Sequence, residues 1–186
     1  FDADALERMQ NANVSEIREN MGEPGWLAAR TFNGMVFEGH TYAVPGLGTL
    51  ASMPKITQKD LQNFVRAQFA RNVLKVAIAG DIDKDTAAKA VDAVFGALPE
   101  TAEATEGGDA VLQYAGKTIL LPLDAPQTHV SIGEIGIRRD DTDWHAAVIM
   151  NYILGGSGFD SRLMNEIREK RGLTYGVYSS LSSMKH

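Results

Sequence analysis

Residues 161–180 hold the side chains best suited to chemistry, because a charged stretch there leads directly into Gly-Leu-Thr-Tyr-Gly. Tyr175 stands between small residues, so its hydroxyl is expected to be accessible, and Arg168, more than one turn earlier, can point the same way. Both side chains donate hydrogen bonds. Helical spacing also places Glu166 four residues before Lys170, as in an ion pair on a solvated helix face. The segment is therefore either a pair of donors for a ligand or an ordinary charged helix end.

Histidine spacing does not predict a metal site. A catalytic zinc needs three converging nitrogen or oxygen ligands and an open position, and no two of the four histidines are three or four residues apart. Each is interpreted as a surface or core-edge residue. The four are His40, His129, His145 and His186. The chain has no cysteine, which excludes disulfides, cysteine-bound metals and thiol catalysis and leaves the compartment open.

The glycine cluster at residues 155–158 is not typical of a phosphate-binding loop. A P-loop needs a lysine after its last glycine, and a dinucleotide fingerprint follows a strand, whereas this cluster follows a predicted helix. A turn that ends the helix is the interpretation that fits best.

Charge and hydropathy exclude two classes of function. Among 186 residues, 18 Lys and Arg stand against 24 Asp and Glu, and the net charge of -6 disfavours general nucleic-acid or anionic-membrane binding. The longest apolar stretches, such as residues 146–150, fall far short of the roughly 20 residues that a membrane span needs. No nucleic-acid partner and no membrane span are therefore expected.

The apolar pattern predicts helices on both sides of an acidic linker. Predicted helices occupy residues 2–21, a stretch from Pro24, a stretch from Thr57, and residues 86–95, 143–154 and 161–170. Asp2 can cap the first of these, and Thr57 with Asp60 forms a capping box at the third. Gly96 and Gly172 are placed to end the fourth and the sixth. Predicted strands occupy residues 73–80, 117–121 and 128–137 and a stretch from Leu173. Together these elements predict an α+β architecture with helices packed on sheets.

Composition also predicts the domain organisation. Residues 99–111 are acidic and lack basic residues, a composition that predicts a solvated linker. The linker is expected to separate one domain-like part over residues 1–98 from another over residues 112–186. Neither part has a complete set of elements, and the chain starts at Phe1, so we expect an excerpt from a longer protein.

Residues 154–163, continuing into 166–175, strongly resemble the second homologous domain of the insulinase/pitrilysin family, the inverted-motif zinc metallopeptidases. Residues 124–130 resemble the opening of that domain. The stretches that resemble the closing part of the family's first domain are 39–42, 48–49, 56–64 and 76–83. The resemblance implies antiparallel-rich sheets with helices packed on one face, and it covers nearly the whole chain.

The resemblance also implies where zinc is held. In the family, a His-x-x-Glu-His helix and a distal glutamate form the zinc site, and the motif glutamate activates the zinc-bound water. This sequence has no such motif, so zinc is expected in another domain or partner subunit. Glu16 matches the distal ligand position, although Met9 replaces a glutamate that the family helix usually carries seven residues earlier.

The family's second domain contributes an arginine and a tyrosine seven residues apart, and Arg168 and Tyr175 match that spacing, with Arg171 nearby as a competing arginine. The resemblance implies peptide binding, closure of a peptide chamber, and donation of hydrogen bonds to the oxyanion while a zinc-bearing domain or subunit cleaves the peptide. The chain alone is then an inactive part of a protease. A scaffold or assembly subunit is the alternative. Self-association is also expected, and the resemblance favours a bacterial periplasmic location, with the cytoplasm as the alternative.

Overall fold

The computed structural model describes residues 1–103 and 107–184 and divides into two compact units, Phe1–Ser131 and Ile132–His186. The predicted division at residues 99–111 stays a prediction, and three residues of that segment, 104–106, lie outside the described part of the chain. Within the described part, no helix combines the length and the apolar character required to cross a membrane.

The first unit consists of helices and short helical turns. Its α-helices are α1 (Ala3–Asn20), α2 (Pro24–Val36), α3 (Gln58–Gln68) and α4 (Lys84–Phe95), and its 3-10 turns are Thr41–Ala43, Met53–Lys55 and Arg71–Val73. All four predicted helices are confirmed. Pro24 begins α2. Proline is tolerated at this position because the first N–H groups of a helix have no hydrogen-bond partner within the helix. Asp2 precedes α1 as predicted, but its side chain makes no capping hydrogen bond.

Side-chain caps fix the starts of α3 and α4. The Thr57 hydroxyl accepts the Asp60 amide at 3.2 Å, and the Asp60 carboxylate accepts the Thr57 amide at 2.8 Å, so the predicted capping box is confirmed. The Asp83 carboxylate accepts the amides of Asp85 and Thr86 at 3.0 and 2.9 Å. Hydrogen bonds to the charged form lower the pKa of Asp60, through Thr57, and the pKa of Asp83, through Thr86.

In the first unit, α1 contacts the 3-10 turn that begins at Met53. Ile17 and Met53 are buried, and the side-chain amide of Gln10 donates to the carbonyls of Met53 and Ile56 at 3.1 and 2.8 Å. These bonds satisfy carbonyl groups at the turn and hold it against the helix.

The acidic segment is hydrogen-bonded to earlier residues of the first unit where it is described. The Asn72 amide donates to the Glu100 carbonyl at 3.1 Å, and the His40 ring nitrogen Nε2 lies 2.9 Å from the Gly108 carbonyl oxygen. Both ends of the segment are therefore held by residues that precede it in the chain.

The second unit is built around two wide helical turns. Helix α5 (Trp144–Asn151) continues into a first π-helix (Tyr152–Gly156), followed by a 3-10 turn (Gly158–Asp160) and a second π-helix (Met164–Glu169). The helices predicted at residues 143–154 and 161–170 are confirmed in place, but their π-helical character was not predicted. Such turns are rare and concentrate at functional sites.

The fold class predicted above, α+β with antiparallel-rich sheets and helices packed on one face, is wrong, because the described residues contain no β-strand. The predicted strands were residues 73–80, 117–121 and 128–137 and the stretch from Leu173. Residues 75–79 and 126–137 make no backbone–backbone hydrogen bond within the described chain. Apolar, β-branched residues favour an extended backbone, but a strand also needs a paired neighbour about 4.8 Å away. Apolar side chains in these segments are accordingly exposed to solvent, and Ile132 is 90% exposed.

Candidate functional site

Two groups hold the Arg168 side chain on the second π-helix. Its guanidinium carbon lies 4.9 Å from the centroid of the Phe159 ring, and its Nη1 atom donates to the Glu169 carboxylate at 2.6 Å. The Arg168 side chain is 32% exposed. A cation this close to an aromatic ring face is attracted by the ring quadrupole. Arg168 is therefore a half-buried, oriented donor.

The turn after Arg168 depends on Gly172, whose φ of +62° lies in the left-handed region. The Gly172 amide donates to the Arg168 carbonyl at 2.8 Å, and the Leu173 amide donates to the Ile167 carbonyl at 3.2 Å. Two such hydrogen bonds commonly end a helix at a glycine. Here each bond spans one residue more than usual, because the backbone before it is π-helical. The predicted helix end at Gly172 is confirmed.

Tyr175 lies at a bend in the segment that follows this turn. Its side chain is 82% exposed, and its hydroxyl makes no hydrogen bond with any described residue. The Thr174 hydroxyl bridges across Tyr175, donating to the Gly176 carbonyl at 2.9 Å and lying 3.2 Å from the Gly176 amide. The backbone on either side of Tyr175 is thus held while the phenol stays accessible, as predicted from its small neighbours.

The segment beyond Tyr175 is anchored on the helical turns. The Val177 amide lies 3.5 Å from the sulfur of the buried Met164, and the Ser179 amide donates to the Gly155 carbonyl at 3.3 Å. Asn151 completes the link, its side-chain amide donating to the Ser179 carbonyl at 3.2 Å. Arg168 and Tyr175 therefore flank one turn of the same unit, and no hydrogen bond joins them within its described residues.

The glycine cluster has a packing role that the sequence interpretation missed. Gly155 is buried, and a Cβ placed on it would lie 2.5 Å from the Ser179 amide nitrogen. Glycine is required there because another stretch of backbone comes too close for any side chain. The helix ends within the cluster, as predicted: the first π-helix ends at Gly156, and a 3-10 turn begins at Gly158.

The charged face predicted from helical spacing is confirmed. The Lys170 ammonium donates to the Glu166 carboxylate at 2.6 Å, with both side chains at least half exposed. The hydrogen bond and charge of Lys170, followed by the charges of Arg171 and Arg162, lower the pKa of Glu166. These residues behave as a solvated helix surface, unlike the half-buried Arg168.

The described residues do not fit a zinc site. Glu16 lies on the exposed side of α1, one residue before the buried Ile17. Across residues 1–103 and 107–184, no three His, Asp or Glu side chains come together as metal ligands. A site for zinc needs at least three such groups converging.

The histidines have local structural surroundings. His40 caps a 3-10 turn, its Nδ1 accepting the Tyr42 amide at 3.2 Å while Nε2 bonds to the Gly108 carbonyl. His129 lies beside Gly25, where a Cβ would meet its ring at 3.2 Å. His145 is exposed on α5. The fourth, His186, lies outside the described residues.

Comparison with known proteins identifies the family. A family model described as the peptidase M16 inactive domain matches residues 55–186. The chain belongs to this family. The resemblance to insulinase/pitrilysin-type zinc metallopeptidases is thereby confirmed, and the region matched includes Arg168 and Tyr175.

Bacterial relatives of this M16 chain carry related names. It is 34% identical over 179 residues to a Streptomyces coelicolor protein named uncharacterized zinc protease, covering 93% of this chain and 39% of the relative. It is 29% identical over 189 residues to the Helicobacter pylori protein named non-peptidase homolog YmxG, covering 100% of this chain and 43% of the relative. The chain thus spans about two fifths of the length of these relatives.

Solved structures support the same relationship. The crystal structure of a peptidase M16 inactive domain from Pseudomonas fluorescens aligns with a TM-score of 0.78 at 32% identity, over 99% of this chain and 44% of that one. A chain of complex III2 from Candida albicans aligns with a TM-score of 0.54 at 15% identity, over 87% of this chain and 40% of that one, and shares the fold alone.

Proposed function

We propose that this M16 chain is the non-zinc-binding part of a zinc metalloendopeptidase. In this proposal, Arg168 and Tyr175 assist peptide-bond hydrolysis that takes place on a zinc-bearing domain or partner subunit. Relatives named zinc proteases support the reaction class, and the matched inactive-domain family supports the division of labour. The observation that carries the proposal is the Tyr175 phenol, 82% exposed on a backbone held by Thr174 and Gly176.

The chemistry of the pair suits a transition state with a developing negative charge. Attack on a peptide carbonyl places charge on its oxygen, and donors already oriented toward that oxygen lower the barrier. The Tyr175 hydroxyl is one such donor. Arg168 uses Nη1 on Glu169, and its remaining N–H groups are available to a substrate carbonyl. When bound elsewhere in the assembly, zinc supplies the activated water.

Peptide binding and chamber closure are part of the same proposal. The second unit exposes the aromatic side chains of Tyr152 and Tyr175, which are 60% and 82% exposed. Aromatic side chains of this kind provide contact area for a peptide at low entropic cost. We propose that this unit forms one wall of a peptide chamber whose other wall carries the zinc.

A reconstitution experiment tests the proposal. The chain is mixed with the His-x-x-Glu-His-bearing M16 protein or domain of the same organism, and cleavage of a quenched fluorescent peptide library is followed. Chelator-sensitive cleavage is expected from the mixture and not from this chain alone. Arg168→Gln should lower the cleavage rate, whereas the matched Arg171→Gln should not. Cleavage that is equally fast with both variants would contradict the role given to Arg168.

A scaffold or assembly subunit is the second candidate, favoured by the relative named non-peptidase homolog, which aligns with the whole of this chain. The same mixture separates the two functions. A stable complex without cleavage of any peptide would support the scaffold, and cleavage that depends on Arg168 would oppose it. Self-association and the periplasmic location stay predictions.

A further inference from the structure

We infer that Phe159 is a positioning residue for Arg168, an inference that rests on the function proposed above. The Phe159 ring lies 4.9 Å from the guanidinium carbon, within the roughly 6 Å over which a ring face attracts a cation. The two residues are nine positions apart and belong to different elements, the 3-10 turn Gly158–Asp160 and the second π-helix. The contact is therefore made by the fold.

The turn that presents Phe159 is held by a buried serine. Ser161 is fully buried, and both its amide and its hydroxyl donate to the Gly158 carbonyl, at 3.3 and 3.0 Å. Gly158 itself has a φ of +70°, which L side chains rarely adopt. This tight turn fixes the backbone on both sides of Phe159 while leaving its ring 69% exposed.

The same serine begins the helical segment that carries Arg168. The Ser161 hydroxyl accepts the Met164 amide at 3.4 Å, and the Ser161 carbonyl accepts the Asn165 amide at 3.0 Å. Met164 is 1% exposed, so the start of this segment is packed as well as hydrogen-bonded. Phe159 and Arg168 are consequently attached to one anchored stretch of backbone and keep a fixed relation to each other.

Two different contacts then restrict the guanidinium. The guanidinium carbon lies over the Phe159 ring, and the Glu169 carboxylate accepts a hydrogen bond from Nη1. In the proposed function, the N–H groups not bonded to Glu169 donate to a substrate carbonyl. An arginine side chain is long and flexible, and restricting it before the substrate arrives reduces the ordering cost of the reaction. Phe159 contributes this restriction without touching the reacting atoms.

The predicted consequence is small and specific. Phe159→Leu removes the π face and keeps an apolar side chain, so kcat in the reconstituted mixture should fall about two- to fivefold with KM unchanged. Phe159→Tyr keeps the ring and should restore the wild-type value. Phe64→Leu is the matched control, since the 59%-exposed Phe64 ring packs on Phe69 instead, with ring centroids 6.5 Å apart.

A double-mutant cycle separates positioning from a merely structural role. If Phe159 acts through Arg168, Phe159→Leu should cause no further loss of kcat in a chain that already carries Arg168→Gln. The Arg168 side-chain Nε–H signal in NMR spectra should also lose its ring-current shift in Phe159→Leu and keep it in Phe159→Tyr.

Two failures are distinguishable. If Arg168→Gln slows cleavage but Phe159→Leu matches the wild type, or if the two losses are additive, the inference is overturned and the proposed function stands. If Arg168→Gln itself has no effect, the role of Arg168 in the proposed function is wrong and the inference is overturned with it.

Discussion

The Ser179 amide donates a hydrogen bond of 3.3 Å to the Gly155 carbonyl, and the absence of a side chain at residue 155 permits this approach. A Cβ there would lie 2.5 Å from the Ser179 amide nitrogen and hydroxyl oxygen and 2.9 Å from the Leu163 side chain. The nearest atom belongs to the backbone, which cannot move aside as a flexible side chain could. This contact joins the end of the Tyr175 segment to the first π-helix.

Gly155→Ala should therefore destabilise the second unit. We expect a loss of about 1–3 kcal/mol in the free energy of unfolding, the usual cost of forcing atoms into a packed site. Gly34→Ala is the control, because Gly34 lies inside α2 and a Cβ there would meet nothing within 4 Å beyond the nearby backbone of its own helix. This variant should gain stability from better helix propensity. Urea unfolding of the wild type and both variants checks the prediction. A Gly155→Ala variant as stable as the wild type would contradict the packing role of Gly155.

Acid should weaken the starts of α3 and α4 together. The pKa values of Asp60 and Asp83 lie below the ordinary value of 3.8 in the folded chain, so folding favours their charged forms. The stabilisation is then fully present above about pH 3.8 and is lost as the pH falls through the lowered folded-state pKa values. Asp83→Asn keeps an acceptor for the Thr86 amide and should remove part of this pH dependence.

Thermal unfolding followed by circular dichroism between pH 2 and pH 6 measures this effect. The difference in Tm between wild type and Asp83→Asn should shrink as the pH falls below the folded-state pKa of Asp83. A difference that stays constant over the whole range would show that the carboxylate charge does not stabilise α4.

Zinc should not bind stoichiometrically to the isolated chain. Glu16 is exposed on α1, and the described residues bring no second and third ligand to it. Elemental analysis after dialysis against zinc should give the same substoichiometric value for wild type and Glu16→Gln. One zinc per chain in the wild type, lost in Glu16→Gln, would contradict the assignment of zinc to another domain or subunit.

Local signals explain what the sequence predicts well. The Thr57 and Asp60 pair forms within three residues, Pro24 starts a helix by its own ring, and Gly172 ends one by adopting a positive φ. The stretches 154–163 and 166–175, whose resemblance indicated the family that the comparisons establish, are also continuous in sequence. Each of these features depends on neighbours along the chain.

Features that depend on distant or unusual contacts were missed. A strand over residues 128–137 needs a hydrogen-bonding partner that the apolar pattern does not specify, and the described chain provides none. The π-helices break the 3.6-residue period on which helix prediction depends. The contact of Phe159 with Arg168 crosses a turn held by Ser161, and no spacing rule indicates it.

The turnover of Tyr175→Phe in the reconstituted mixture tests the central claim most directly. Phenylalanine keeps the ring and removes only the hydroxyl donor, so kcat should fall by about 10²-fold with little change in KM, as when one oxyanion donor is lost. Tyr178→Phe, three residues further along and 70% exposed, is the control and should cleave at the wild-type rate. An unchanged kcat for Tyr175→Phe, or an equal loss in both variants, would contradict the claim that the Tyr175 hydroxyl assists peptide hydrolysis.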